Sequence, residues 1–310
     1  VGHAPARVLG ALLVVQVIFS TLHVVGKVVL QDLSPLALAG TRVAIATPLL
    51  LVIAWRHDRR VPERRDWPRL ALLGFLGILA NQTLFLLGLS LTSATSAAIM
   101  MPSIPVFTAG VAALLGVELV RGGRLAGILI AAAGAVVLLD PARLEISGRA
   151  TLGNLLVLSN CLCYAFFLVL QRPLFERVPW RTVIAWSFLF GSLGTLAISA
   201  PALAATAWSE LPGRTLAGTL YIGLVPTAGA FALNTWAVRR SSPALAAAFT
   251  TIQPVLTGAL AALALGEAVR AHQAVGFVLI VAGLALVQRG AARRPPGSPG
   301  SEIAAVQEVE

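Results

Sequence analysis

Residues 84–138 return further along the chain without a gap. Pro105 falls on Pro254, Val106 on Val255, Glu118 on Glu267, Arg121 on Arg270, Gly127 on Gly276 and Gly134 on Gly283, all at one offset of 149 residues. A period that is close to half of the 310 residues marks a duplication, not the roughly 20–50-residue unit of a solenoid. The chain must therefore fold as two related halves, in surroundings that suit both.

Composition identifies those surroundings. Hydrophobic residues make up 57% of the chain and charged residues 12%, and the mean hydropathy is +0.87. A water-facing domain has about a quarter of its residues charged, so this chain faces lipid. An apolar run of about 20 residues crosses a bilayer as a helix. Ten such runs are present: 8–29, 36–55, 69–90, 94–116 and 124–140, then 151–171, 182–204, 215–238, 243–265 and 272–288. The N-terminus, one Arg followed by a long apolar run, reads as a first span that is retained, not a cleaved leader. Residues 289–310 are rich in Pro, Gly and charge and are expected to form a disordered cytoplasmic tail.

Orientation follows from the basic residues. With the N-terminus in the cytoplasm, 17 of the 23 Lys and Arg residues fall in cytoplasmic segments. These are Arg7, the set from Arg56 to Arg69, Arg121, Arg124, Arg172, Arg177, Arg181, Arg239, Arg240, Arg289, Arg293 and Arg294. Lys27, Arg143, Arg149, Arg214 and Arg270 face the other side, and Arg42 lies inside the second span. This is the positive-inside bias of a protein of the cytoplasmic (inner or plasma) membrane with both termini in the cytoplasm. Trp55, Trp67, Trp180 and Trp208 stand near span ends, where an interfacial aromatic belt places them.

Five spans per half is an odd number, so the second half enters the membrane from the opposite side. The expected fold is an all-α integral membrane protein of ten transmembrane helices in two inverted five-helix repeats, residues 8–140 and 151–288. Inverted repeats are an architecture of secondary transporters.

Several other functions are disfavoured. The net charge of +10 is spread over short connectors without the interleaved aromatics that stack on bases, so nucleic acid is not an expected partner. Cys161 and Cys163 diverge by about 200° on a helix and have no His or acidic neighbour, so neither a disulfide nor a metal is expected. No GxxxxGK[ST], GxSxG or HExxH motif occurs, and no paired carboxylates lie at depth. We therefore expect no catalytic residues, no metal and no cofactor, and a small-molecule substrate and the lipid bilayer as partners. The oligomeric state is left open and is compatible with a monomer.

Pro-Val, a glutamate 12 residues beyond the Val, a basic residue, and two glycines with a six-residue gap between them resemble the EamA-type repeat of the drug/metabolite transporter superfamily. Ser93-Ala94 and Ser242-Pro243, ahead of spans four and nine, are similar to the same pattern. The resemblance covers residues 10 to 288. It implies a ten-helix carrier, commonly an exporter of amino acids or other small metabolites, with multidrug or toxic-metabolite efflux as the alternative. A channel or a non-transporting membrane scaffold is a further alternative.

Polar residues inside the spans are the candidates for contact with cargo, because polar groups in hydrocarbon face the bundle interior or a wet cavity. Gln16, Ser20, His23 and Lys27 share one face of span one, and Asn160 and Tyr164 are the counterparts of the first two in span six. Arg42, Asn81, Gln82, Asn234 and Gln253 complete the candidate substrate-binding set. His23 is expected either to titrate, opposed by Lys27, or to act as a neutral hydrogen-bonding partner. Arg42 is expected to hold a substrate carboxylate or to brace span two. Pro105 and Pro254 free the carbonyls of Met101 and Thr250, which are expected either to meet cargo or water or to mark packing kinks. Glu118 and Glu267 are expected to fix turns.

Overall fold

The structure, a computed structural model, describes residues 6–116, 148–266 and 271–292, with scattered positions between 126 and 137. All regular elements among them are helical. Among the described residues, eight stretches are long and apolar enough to cross a membrane: Ala6–Val29, Pro35–Asp58, Arg64–Leu91, Ala94–Leu114, Arg149–Glu176, Trp180–Ala204, Gly213–Arg240 and Pro243–Leu265. Each lies within five residues of the bounds expected from hydropathy. The fifth expected span falls largely outside the described residues, as do Glu118, Arg121, Glu267, Arg270 and the chain beyond Ala292. The tenth lies in a helix, Ala271–Ala292, that extends four residues into the segment expected to be a tail.

Two of the eight stretches are unbroken helices in the first half, α1 (Ala6–Val29) and α2 (Pro35–Asp58). The third is α3 (Trp67–Gly74) and α4 (Asn81–Leu91), joined by a wider π turn over Phe75–Ala80. The fourth breaks into α5 (Ala94–Met100) and α6 (Ser103–Leu114). The second half repeats this order. It has α7 (Arg149–Leu170), α8 (Trp180–Ala204), α9 (Gly213–Ile222), a π turn over Gly223–Ala230 and α10 (Phe231–Arg240). Then come α11 (Pro243–Phe249), α12 (Gln253–Leu265) and α13 (Ala271–Ala292).

The breaks follow from proline. Pro102 cannot donate to the helix it interrupts, so α5 stops at Met100 and a new helix starts at Ser103. Ser93 and Ser242 cap the short helices by accepting from Ser96 N at 3.0 Å and Leu245 N at 3.1 Å. Of the two readings of the freed carbonyls, the contacts fit the packing kink. The Met101 carbonyl, which Pro105 leaves free, accepts from Ile104 N at 2.9 Å and from Thr250 Oγ1 at 3.2 Å. The Thr250 carbonyl, left free by Pro254, accepts from Gln253 N. Each has found a protein donor, one of them from the opposite half.

α2 and α8 run antiparallel along each other. Asp58 at the end of α2 accepts from Thr182 Oγ1 at 3.0 Å and pairs with Arg181 at 3.3 Å, both at the start of α8. Thr47 and Ser192 hydroxyls meet at 2.6 Å, and Gly40 lies against Ser199 and Leu203 near the far end. α3 also packs on α8, and here Gly74 and Gly191 bring the two backbones together. α5 packs on α12 and α6 on α11; α1 packs on α12 and α7 on α6. Large apolar side chains such as Leu13, Val17, Leu114 and Leu263 are exposed on the outside, the surface that hydrocarbon would cover.

Candidate functional site

A cavity of about 60 Å³ opens at the centre, where helices from both halves meet. α1 contributes Phe19, Leu22 and His23, and α2 contributes Arg42. α4 contributes Asn81, Gln82 and Phe85, and the break between α5 and α6 adds Met101 and Ile104. Asn160 and Tyr164 of α7, Phe231 of α10 and Gln253 of α12 close the wall. The pairs Phe19–His23, Asn81–Phe85 and Asn160–Tyr164 are each four residues apart, so each helix offers one face.

The π turn over Gly223–Ala230 sets the position of Arg42. Pro226 has no N–H, which deprives the Ile222 carbonyl of its usual donor four residues on. The Thr227 hydroxyl donates to that carbonyl at 2.6 Å and accepts from Arg42 Nε at 2.8 Å. The guanidinium is 1% exposed, and its Nη1 has no hydrogen-bond partner among the described residues.

His23 Nδ1 lies 2.8 Å from the Phe19 carbonyl. A carbonyl only accepts, so Nδ1 carries the proton in that contact. Nε2 is buried and has no partner among the described residues. The ring meets Phe85 edge-on at 5.1 Å. Gln82 is 1% exposed, and neither of its amide atoms has a described partner. Asn81 and Asn160 clasp α4 to α7. Asn81 Nδ2 donates to the Asn160 carbonyl at 3.3 Å, and Asn160 Nδ2 donates to the Asn81 carbonyl at 2.8 Å.

Of the eleven residues chosen from sequence, the cavity brings together His23, Arg42, Asn81, Gln82, Asn160, Tyr164 and Gln253. Four lie outside its wall. Gln16 accepts from Gln253 Nε2 at 2.5 Å, which joins α1 to α12 just behind the cavity. Ser20 donates to the Gln16 carbonyl at 2.8 Å. Asn234 donates to the Tyr164 hydroxyl at 2.8 Å. Lys27 donates to the carbonyls of Leu89 at 2.9 Å and Thr92 at 2.5 Å, where a cation meets the negative end of α4. Arg172 does the same for α10, with Nη1 donating to Val238 at 3.1 Å and Arg239 at 3.0 Å. The apolar walls, Phe19, Leu22, Phe85, Ile104 and Phe231, went unnoticed in the sequence. The four-residue spacing of Phe19 and Phe85 from the polar candidates was the signal that could have found them.

The profile of the EamA-like transporter family matches residues 7–140 and again residues 151–289. The chain belongs to the EamA-like transporter family. It is 32% identical over 323 residues to Protein WALLS ARE THIN 1 of Arabidopsis thaliana, an alignment that covers 90% of this chain and 82% of that one. It is 28% identical over 268 residues to a probable terminal-alkyne amino-acid exporter of Streptantibioticus cattleyicolor, covering 85% and 88%. A solved structure with 23% sequence identity superposes with a TM-score of 0.64, covering 93% of this chain and 99% of the other, which supports the fold. The family and the eight apolar helices make this EamA-like chain an integral membrane protein.

Proposed function

We propose that this EamA-like chain is a secondary-active or facilitative carrier that exports amino acids or other small metabolites across the cytoplasmic membrane. It works by alternating access of two inverted five-helix halves. The observation that carries the reading is the central cavity, walled by both halves and set beside helices broken at the same place in each.

The contacts between the halves support the inverted arrangement. α2 and its counterpart α8 run antiparallel. The packing of α5 on α12 is matched by α11 on α6, and that of α1 on α12 by α7 on α6. The π turns occur at corresponding places, and Lys27 and Arg172 cap corresponding helix ends. Two such halves have inward-open and outward-open states of similar energy.

An exporter reading is supported by the relative named as a probable amino-acid exporter. The aromatic and aliphatic share of the wall favours, as a second reading, efflux of apolar toxic compounds. Counterflow of labelled substrates into proteoliposomes, run with and without a pH gradient, tests the proposal. Saturable, trans-stimulated uptake of an amino acid or metabolite supports it. Uptake that rises linearly with concentration and shows no trans-stimulation refutes it in favour of a channel.

A further inference from the structure

We infer that the central cavity is a site for a small organic acid bound as its monoanion, with Arg42 as the counter-ion. This rests on the carrier reading, because it names the class of cargo for the same site.

The argument is a balance of charge at depth. Arg42 lies in the third turn of α2, 1% exposed, with a neutral hydroxyl on Nε and no partner on Nη1 among the described residues. Among the described residues, the cavity wall contains no Asp or Glu. The acidic side chains with described ion pairs lie at helix ends and already have partners. Asp32 meets Thr215 and Arg214, Asp58 meets Arg181, Glu63 meets Arg65 and Asp66 meets Arg177. None reaches the cavity, so the guanidinium has no counter-ion among the described residues. A buried charge without a counter-ion is costly, and in proteins it is paired or faces a ligand. A carboxylate matches the planar guanidinium and accepts from it with charge assistance.

The rest of the wall shapes the class. Gln82 presents both an amide donor and an acceptor, and His23 Nε2 and Gln253 Oε1 present acceptors, so a hydroxyl or a second polar atom on the cargo finds a partner. Among the described residues, the wall offers no fixed carboxylate for an ammonium group. The volume, about 60 Å³, is well below the ~150 Å³ cavity that takes up benzene, which limits the cargo body to a few heavy atoms in this conformation. The favoured cargo is thus a small carboxylic acid in which the group beside the carboxylate is neutral. A zwitterionic amino acid leaves its ammonium to neutral acceptors alone.

The test uses the full-length wild-type protein in lipid nanodiscs and a graded probe set. Propionate, isovalerate and 3-phenylpropionate are compared with their amides and with alanine, valine and phenylalanine. Binding is read as thermal stabilisation, which grows with ligand concentration over Kd. At least one acid is expected to bind ten-fold or more tightly than both its amide and its amino acid. Arg42→Gln is expected to remove that preference, and Arg42→Lys to restore part of it. If no acid outbinds its amide and its amino acid, the inference is overturned, whether or not Arg42→Gln folds. Counterflow in proteoliposomes separates the two claims. Acid binding without trans-stimulated uptake defeats the carrier reading but not the anion site. Uptake of amino acids with no preference for acids defeats the anion site but not the carrier.

Discussion

Gly74→Ala is the substitution for which the structure gives the most definite cost. A methyl group at Gly74 would sit 2.5 Å from the Ser187 carbonyl and 2.6 Å from the Gly191 nitrogen. An ordinary contact starts at 3.4 Å, so α3 and α8 must part locally by about 0.9 Å. Both obstacles are backbone, and no rotamer change relieves them. Overpacking of this kind costs roughly 1–3 kcal/mol, and the rigid neighbours place this case in the upper half of that range. At about 2–4 °C per kcal/mol, the melting temperature should fall by roughly 4–12 °C. Intrinsic tryptophan fluorescence in detergent suits the measurement, because the tilted rings of Trp67 and Trp186 lie 5.6 Å apart at this same interface. Gly110→Ala is the control, since its added methyl meets nothing within 4 Å and should leave the melting temperature unchanged. Gly191→Ala, with its methyl 2.5 Å from the Gly74 carbonyl, should resemble Gly74→Ala. The double variant should lose less than the sum, because the helices are already apart. Equal melting temperatures for Gly74→Ala and Gly110→Ala would refute the reasoning.

Three further outcomes are expected. Thr227→Val strips Arg42 Nε of its partner and the Ile222 carbonyl of its side-chain donor, and should destabilise by roughly 1–3 kcal/mol, with Thr227→Ser close to wild type in the same melt. A double-mutant cycle of Gln16→Ala and Gln253→Ala should show a coupling of roughly 0.6–1.7 kcal/mol in reversible unfolding, and additivity would mean that the bond between α1 and α12 contributes nothing. Arg177→Gln should destabilise more than Asp66→Asn in thermal melts. The first strands a carboxylate that is 3% exposed, whereas the second frees an Arg that is 39% exposed and can turn to water.

Hydropathy located the helices because a bilayer fixes their length. Eight spans ended within a few residues of where apolar runs end, including the start at Ala94 marked by its Ser93 cap. Hydropathy does not carry the rotation of one helix against another, and this is where the site became unreadable. Gln16, His23 and Lys27 share a face of α1, yet each meets a different neighbour: α12, the cavity and the end of α4. The proline signals were legible as breaks, but the donor for the Met101 carbonyl lies in the other half, where no local rule could find it. Arg42 was visible as a lone charge at depth. Its anchor depended on the Pro226-Thr227 pair across the bundle. Gly74 and Gly191 have no polar signature, and only the packed structure shows why a methyl cannot stand there.

The hydrogen bond from Thr250 to Met101 spans 149 residues, the same interval that separates one copy of the repeat from the other. Each of these two residues therefore touches its own counterpart. On the inverted-repeat reading, such a bond can form only close to the axis that exchanges the halves, so it holds the same place in either state of an alternating-access cycle. A change there has no preferred side. It should slow or quicken the swing in both senses alike and leave the resting balance between the two faces where it was.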